Sequence, residues 1–202
     1  KLICRLYKPT EGKIFYNGID IWSLSQEDYN NQLSVVFQDF SIFALSLKEN
    51  ICLNKNFSED LMKDAIDKSD LTDKIIGLPR NIDTQVSKYF DPNGIEFSGG
   101  EYQKVACARA YYKCGSIMLF DEPTAALDPF SEAKMYQRFN SIIKKKTAIY
   151  ITHRLPIVKF CDKIIVLNAG EIVEQGAHDQ LVNNNGLYAE MYHKQSEPYI
   201  SH

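Results

Sequence analysis

The sequence predicts an α/β fold with a mostly parallel sheet, a small antiparallel β-hairpin region and an inserted run of helices. Three observations point there. Ile117-Met118-Leu119-Phe120 is short and wholly apolar, as a strand buried on both faces of a parallel sheet must be. From residue 115 onward, strand-like and helix-like segments alternate, the order that builds a parallel sheet with crossover helices. Between residues 45 and 113 the apolar spacing is helical, so helices interrupt the strands of the core.

Residues 1–7 read as the tail of an amphipathic helix that stops before Pro9. Residues 13–16 alternate as a strand should, Asn17-Gly18 signals a two-residue hairpin, and residues 19–21 form the return strand. Ser25 is placed to cap a short helix, and residues 33–37 read as a buried strand. In the insertion, Ser58 starts a helix with Leu61, Met62, Ala65 and Ile66 at helical spacing. Leu71, Ile75 and Ile76 add a turn or two, which Gly77-Leu78-Pro79 breaks. Asp91-Pro92-Asn93-Gly94 makes residues 89–96 a loop, and the next helix runs from near Gly99 to about Lys113. Pro129 opens a helix reaching about Ile143, and residues 147–151 form a second buried strand. Residues 163–167 and 171–174 flank Asn168-Ala169-Gly170 as a further hairpin, and residues 178–182 and 187–194 read as terminal helices. The expected division is an α/β core of residues 1–44 and 115–202 with a helical subdomain of residues 45–114.

A chain of 202 residues can bury one substantial core, or one core and a subdomain. Hydrophobic residues make up 45% and charged residues 24%, ordinary for a globular domain. A net charge of −3 gives no basis for a general nucleic-acid binder, so no nucleic-acid partner is expected. No apolar run approaches the ~20 residues that span a bilayer, and no signal-peptide layout is present, so any membrane anchor is expected elsewhere. Five cysteines without a C-x-x-C pair read as buried, reduced thiols. Cys107 and Cys114, seven apart on one expected helix, should share a face, which suits packing better than metal ligation.

Four short motifs carry the chemistry. The apolar strand of residues 117–120 ends in two adjacent carboxylates, Asp121 and Glu122, and the carboxyl edge of an open α/β sheet is where ligands bind. Acidic residues at a helix N-terminus are the bland alternative. In Phe97-Ser98-Gly99-Gly100-Glu101, two glycines allow close backbone approach to a phosphate and Ser98 adds a hydroxyl. The helix that follows directs its positive end at the anion. Gln38 closes the expected strand in Val36-Phe37-Gln38-Asp39, and His153 follows another in Ile151-Thr152-His153.

In this order the four motifs resemble the nucleotide-binding domain of an ATP-binding cassette (ABC) transporter, over nearly the whole chain. The resemblance implies a P-loop NTPase-type core that binds ATP and Mg²⁺ and hydrolyses ATP. It assigns Asp121 and Gln38 to Mg²⁺, Glu122 to polarising the attacking water, and His153 to the γ-phosphate, with Gln38 also contacting the water. Ser98, Gly99, Gly100 and Glu101 resemble the signature motif, and Ala125-Ala126-Leu127-Asp128 the D-loop. Both would serve ATP held by a second such domain, so a homodimer or heterodimer is implied. Two departures stand out. Glu101 replaces the usual glutamine and places an acid near nucleotide, and Ala125 replaces the usual serine.

Ser46-Leu47-Lys48-Glu49-Asn50-Ile51 is similar to a run common in exporters. Coupling helices of a transmembrane domain are therefore expected near residues 37–45, where Phe37, Phe40, Ile42, Phe43 and Leu45 form either core or a groove. A second contact is expected at residues 89–96, from Tyr89 to Glu96. The family's phosphate loop, G-x-x-x-x-G-K-[ST], and the aromatic that stacks on adenine are not in these residues. The resemblance places Lys1 a few residues past that loop, so the strand leading into it and the loop itself are expected to be missing, and these residues alone are expected to be inactive. The expected setting is the cytoplasmic face of a membrane, as part of an exporter that couples hydrolysis to transport. Two alternatives stay open: a soluble cassette ATPase without a membrane partner, and a non-enzymatic relic or regulatory module that keeps the dimer surface.

Overall fold

The computed structural model describes residues 1–53, 57–128, 131, 132, 134, 135, 138 and 146–200. They form two compact units, residues 1–151 and 152–202.

The first unit is built on a parallel sheet of three strands, β3 (Leu33–Val36), β4 (Ile117–Asp121) and β5 (Thr147–Ile151), in that spatial order. Leu33 pairs with Ile117, Val36 with Phe120, and Asp121 with Ile151. Residues 117–120 are buried, as the apolar run required. Strand β5 is a correction. Thr147, Ile149 and Ile151 lie exposed along one face, while Tyr150 stacks on Phe120 at 4.9 Å on the other. The alternation is that of a strand covered on one side.

Ahead of the sheet, β1 (Phe15–Tyr16) and β2 (Ile19–Asp20) make the predicted hairpin, with Asn17 and Gly18 at φ 50° and 79°. Both residues are left-handed, as a type I′ turn demands. The return strand stops at Asp20 because its carboxylate accepts the Trp22 N–H and starts a 3₁₀ turn. Residues 1–7 are a turn, not a helix tail. Arg5 is left-handed at φ 56°, and its guanidinium lies 5.0 Å from the Trp22 ring and donates to the Leu24 carbonyl. That packing overrides the amphipathic spacing. Ser25 caps α1 (Gln26–Gln32), which leads into β3. Gly115 is needed where the chain enters β4, since a Cβ there would lie 2.6 Å from the Gln32 carbonyl oxygen.

The inserted helices are α2 (Leu47–Cys52), α3 (Glu59–Lys68), α4 (Thr72–Ile76) and α5 (Gly99–Lys113). Helix α5 packs against α2, α3 and β3, so it joins the insertion to the sheet. Its buried Val105, Ala106, Cys107, Ala108, Ala110 and Tyr111 form that joint. Cys114 corrects the shared-face expectation: it is the left-handed C-cap of α5 and exposed, whereas Cys107 is buried. All five cysteines are free thiols, and burial pushes the Cys107 thiol up to about 12. Residues 131, 132, 134, 135 and 138 are helical, while Pro129 and Ile143, the expected bounds of that helix, lie outside the described residues.

The second unit pairs β6 (Ile164–Asn168) with β7 (Glu171–Gly176) through a left-handed Ala169-Gly170 turn. Helices α6 (His178–Asn183) and α7 (Leu187–Ile200) follow. Its core is Leu155, Ile164, Val166, Leu181 and Tyr188. No helix among the described residues is long and apolar enough to cross a membrane.

Candidate functional site

Strands β3 and β4 run parallel with Val36 opposite Phe120, so the residues two further on leave the sheet at the same edge. There the Gln38 Nε2 donates to the Glu122 carboxylate at 3.2 Å. Asp121 ends β4, half-buried. Glu122 adopts φ 48°, a left-handed conformation that costs a non-glycine residue about 1–2 kcal/mol. Three hydrogen bonds hold its main chain. Its N–H donates to the Ile151 carbonyl at 2.9 Å, and its carbonyl accepts the Ala125 N–H at 3.2 Å and the Gln103 side-chain amide at 3.0 Å. Strained backbone held this firmly is a feature of functional sites.

Beyond Glu122 the chain turns through residues 123–128. Ala125 is exposed, Thr124 is buried and donates to Glu132, and Asp128 accepts the Ser131 N–H at 3.0 Å.

The amino end of α5 is the second half of the site. The Ser98 hydroxyl accepts the Glu101 N–H at 3.2 Å, and the Glu101 carboxylate accepts the Ser98 N–H at 2.8 Å, a reciprocal capping box. The other Glu101 oxygen pairs with the Lys74 ammonium at 2.8 Å. Burial alone would raise the Glu101 carboxyl. Lys74 and the Ser98 N–H outweigh it and hold the group below the usual carboxylate range. The acid that the sequence placed near nucleotide thus carries its own counter-charge. Gly100 does more than open space for a phosphate, because a Cβ there would meet the Ala126 carbonyl oxygen and the Leu127 side chain at 3.1 Å. The turn after Glu122 lies directly against it.

His153 belongs to the second unit and is described within it. It is exposed, and its carbonyl accepts the Gln195 side-chain amide at 2.7 Å. Among the predicted residues, the structure brings together Gln38 with Glu122 and Ser98 with Glu101. Sequence reading missed the site roles of Gln103 and Lys74. Gln103 had a signal only as an extension of the Ser-Gly-Gly motif along its helix. Lys74 had none. Among the described residues no group of three or more His, Cys, Asp or Glu side chains could hold a metal ion. A metal at this edge would rest on few protein ligands.

The two predicted surfaces differ. Within residues 37–45, Phe37, Phe40 and Ile42 are half-buried and Phe43 and Leu45 are exposed. None belongs to the buried core. The buried Asn50 pins this segment, accepting the Phe43 N–H and donating to the carbonyls of Phe43, Leu45 and Ser46. In residues 89–96, Tyr89 and Phe90 form an edge-to-face pair and are 82% and 74% exposed, the barest large apolar side chains described.

A parallel sheet that delivers adjacent carboxylates to its carboxyl edge, beside a helix opened by Ser-Gly-Gly, defines a nucleotide-binding class of α/β domain. Comparison with known proteins specifies it. The ABC transporter family profile matches residues 1–125. The subtilin transport ATP-binding protein SpaT of Bacillus subtilis is 39% identical over 206 residues, covering 100% of this chain and 33% of that protein. An ATP-dependent lipid A-core flippase of Burkholderia orbicola (strain AU 1054) is 33% identical over 191 residues, covering 95% of this chain and 32% of that protein. The solved structure of a bacterial Atm1-family ABC exporter with ATP bound superimposes with a TM-score of 0.88 at 36% identity, over 96% of this chain and 34% of that one. The chain belongs to the ABC transporter family, as an ATP-binding domain of exporter type. It spans about a third of the length of these relatives.

Proposed function

We propose that this domain hydrolyses ATP and couples hydrolysis to export, as one of a pair of such domains in a membrane transporter. The observation that carries the proposal is the contact of Gln38 with Glu122 at the carboxyl edge of β3 and β4. It supports the reading because a carboxylate that accepts a proton from water belongs where an α/β sheet binds ligands, and Gln38 and Glu122 meet there. Asp121 and the Gln38 amide oxygen would hold Mg²⁺. So sparse a protein ligand set fits the ion, which keeps several waters and takes phosphate oxygens. The metal would neutralise charge developing on the phosphates.

In this reading Glu122 accepts a proton from the attacking water, and Gln38 holds the Glu122 carboxylate in place. His153 steadies the γ-phosphate. Ser98, Gly99, Gly100 and Glu101 close on ATP held by the partner domain, with Asp128 nearby. Segments 37–45 and 89–96 receive the coupling helices of a transmembrane domain, at the cytoplasmic face of the membrane. The division into a core of residues 1–44 and 115–202 with a helical arm of 45–114 belongs to the same proposal.

In the complete protein, Glu122→Gln should leave ATP binding intact and reduce phosphate release by at least about 100-fold, as expected for loss of a general base. Release near the wild-type rate would show that Glu122 is not that base. Residues 1–202 alone contain no lysine-bearing phosphate loop, and should bind ATP weakly and not turn it over. Saturable micromolar ATP binding to them in calorimetry would contradict this.

A further inference from the structure

We propose that Gln103 is a positioning residue for Glu122, tying the turn that carries it to the helix that begins with the Ser-Gly-Gly motif. The inference rests on the reading of Glu122 given above. Gln103 is 2% exposed, and both ends of its amide are committed to that turn. Its Nε2 donates to the Glu122 carbonyl at 3.0 Å, and its Oε1 accepts the Ala126 N–H at 2.9 Å. The amide orientation is fixed by chemistry, since a flip would set oxygen against a carbonyl and NH₂ against an N–H.

Without this bridge, the main chain of the left-handed Glu122 would lose its side-chain tie to α5 and keep the bonds to the Ile151 carbonyl and the Ala125 N–H. Gln103 supplies the one side-chain clamp seen on its main chain among the hydrogen bonds described. The clamp comes from the helix whose first turn is Gly99, Gly100 and Glu101. Gly100 and the Ala126 carbonyl meet closely, so that a Cβ on Gly100 would lie 3.1 Å from that oxygen. A displacement of the amino end of α5 is thereby passed to the main chain of Glu122 within one subunit. Gln103 touches neither the Glu122 carboxylate nor Gln38 in any contact described, so it acts on the carboxylate through the backbone.

The test uses the complete transporter with Gln103→Ala, Gln103→Glu and, as reference, Glu122→Gln. Gln103→Ala should lower kcat for ATP about tenfold or more while KM stays within about twofold, as misplacement of a reacting group does. Gln103→Glu supplies a readout that a purely structural role would not move. A protonated carboxyl both donates and accepts, restoring the bridge, whereas an ionised one only accepts and opposes the Glu122 carbonyl. Gln103 is buried, and burial raises a carboxyl pKa. The kcat of Gln103→Glu relative to wild type should therefore climb about tenfold from pH 8.5 to pH 6. If Gln103→Ala fails to fold, the Gln103→Glu ratio still decides. The proposal is overturned by a Gln103→Ala kcat within twofold of wild type, by a loss carried by KM, or by a Gln103→Glu ratio that is flat with pH. Wild-type turnover in Glu122→Gln would instead overturn the underlying reading of Glu122.

Discussion

Helices α2 and α5 begin alike. In each, a serine hydroxyl accepts the N–H of a glutamate three residues on, and that glutamate accepts the serine N–H: Ser46 with Glu49, and Ser98 with Glu101. Behind the cap they diverge. In α2 the next residue is Leu47, fully buried, and Asn50 turns inward to bind loop carbonyls. In α5 the next two are Gly99 and Gly100, packed onto the turn that follows Glu122, and Lys74 neutralises the capping acid. A capping box fixes where a helix starts, not what it does. A buried leucine turns the start of α2 into an anchor for the loop after β3. A glycine pair with a paired acid leaves the start of α5 open to an anion. Helix α2 also has six residues, under two turns, and α5 has fifteen, about four turns, so its end carries the fuller dipole.

The comparison can be broken most strongly at the residues behind the caps. Leu47→Ala should destabilise the domain by about 2–5 kcal/mol, as loss of a fully buried leucine does, with little change in the KM for ATP of the folded enzyme. Gly100→Ala should do the reverse. Its Cβ would press on the Ala126 carbonyl oxygen at 3.1 Å, displacing the turn after Glu122 and lowering kcat roughly tenfold with a smaller loss of stability. Urea unfolding and steady-state phosphate release on both variants separate the two effects. The opposite pattern would reverse the assignment of roles.

These contrasts were only partly legible in the sequence. Asn17-Gly18, Ser25, Ser58 and the run from Gly99 to Lys113 mark their elements by local chemistry, and the structure puts those elements where that chemistry does. The Asp121-Glu122 pair was legible because an apolar strand ending in two acids is unusual by itself. The turn at residues 1–7 was not, since it depends on Arg5 packing against Trp22, seventeen residues on. Lys74 lies 27 positions before Glu101 and Gln103 lies 19 before Glu122, and no periodicity connects them. Such pairings arise only when α4 and α5 have been placed by the fold.

A smaller effect sharpens the same comparison by pH. The Glu49 and Glu101 carboxyls are both held below the usual range, Glu49 chiefly by the Ser46 hydroxyl. A carboxyl depressed in the folded state adds stability above its unfolded pKa of about 4.3 and loses it as pH falls through the folded value. Lys74→Met should therefore lower Tm relative to wild type at neutral pH, and the difference should shrink as pH falls through the lowered folded value of Glu101. High salt should shrink the difference, because Lys74 and Glu101 are part-exposed. A Tm difference that persists unchanged at low pH would mean that Lys74 acts by packing rather than charge.

The most direct test of the account is amide hydrogen exchange on the complete protein, with Mg²⁺ and a non-hydrolysable ATP analogue added to one sample. Nucleotide should slow exchange at residues 98–101 and leave residues 46–49 unchanged, although both segments carry the same cap. Protection at both helix starts, or at neither, would contradict the claim that the glycine pair and its neutralised acid, rather than the cap, make the site.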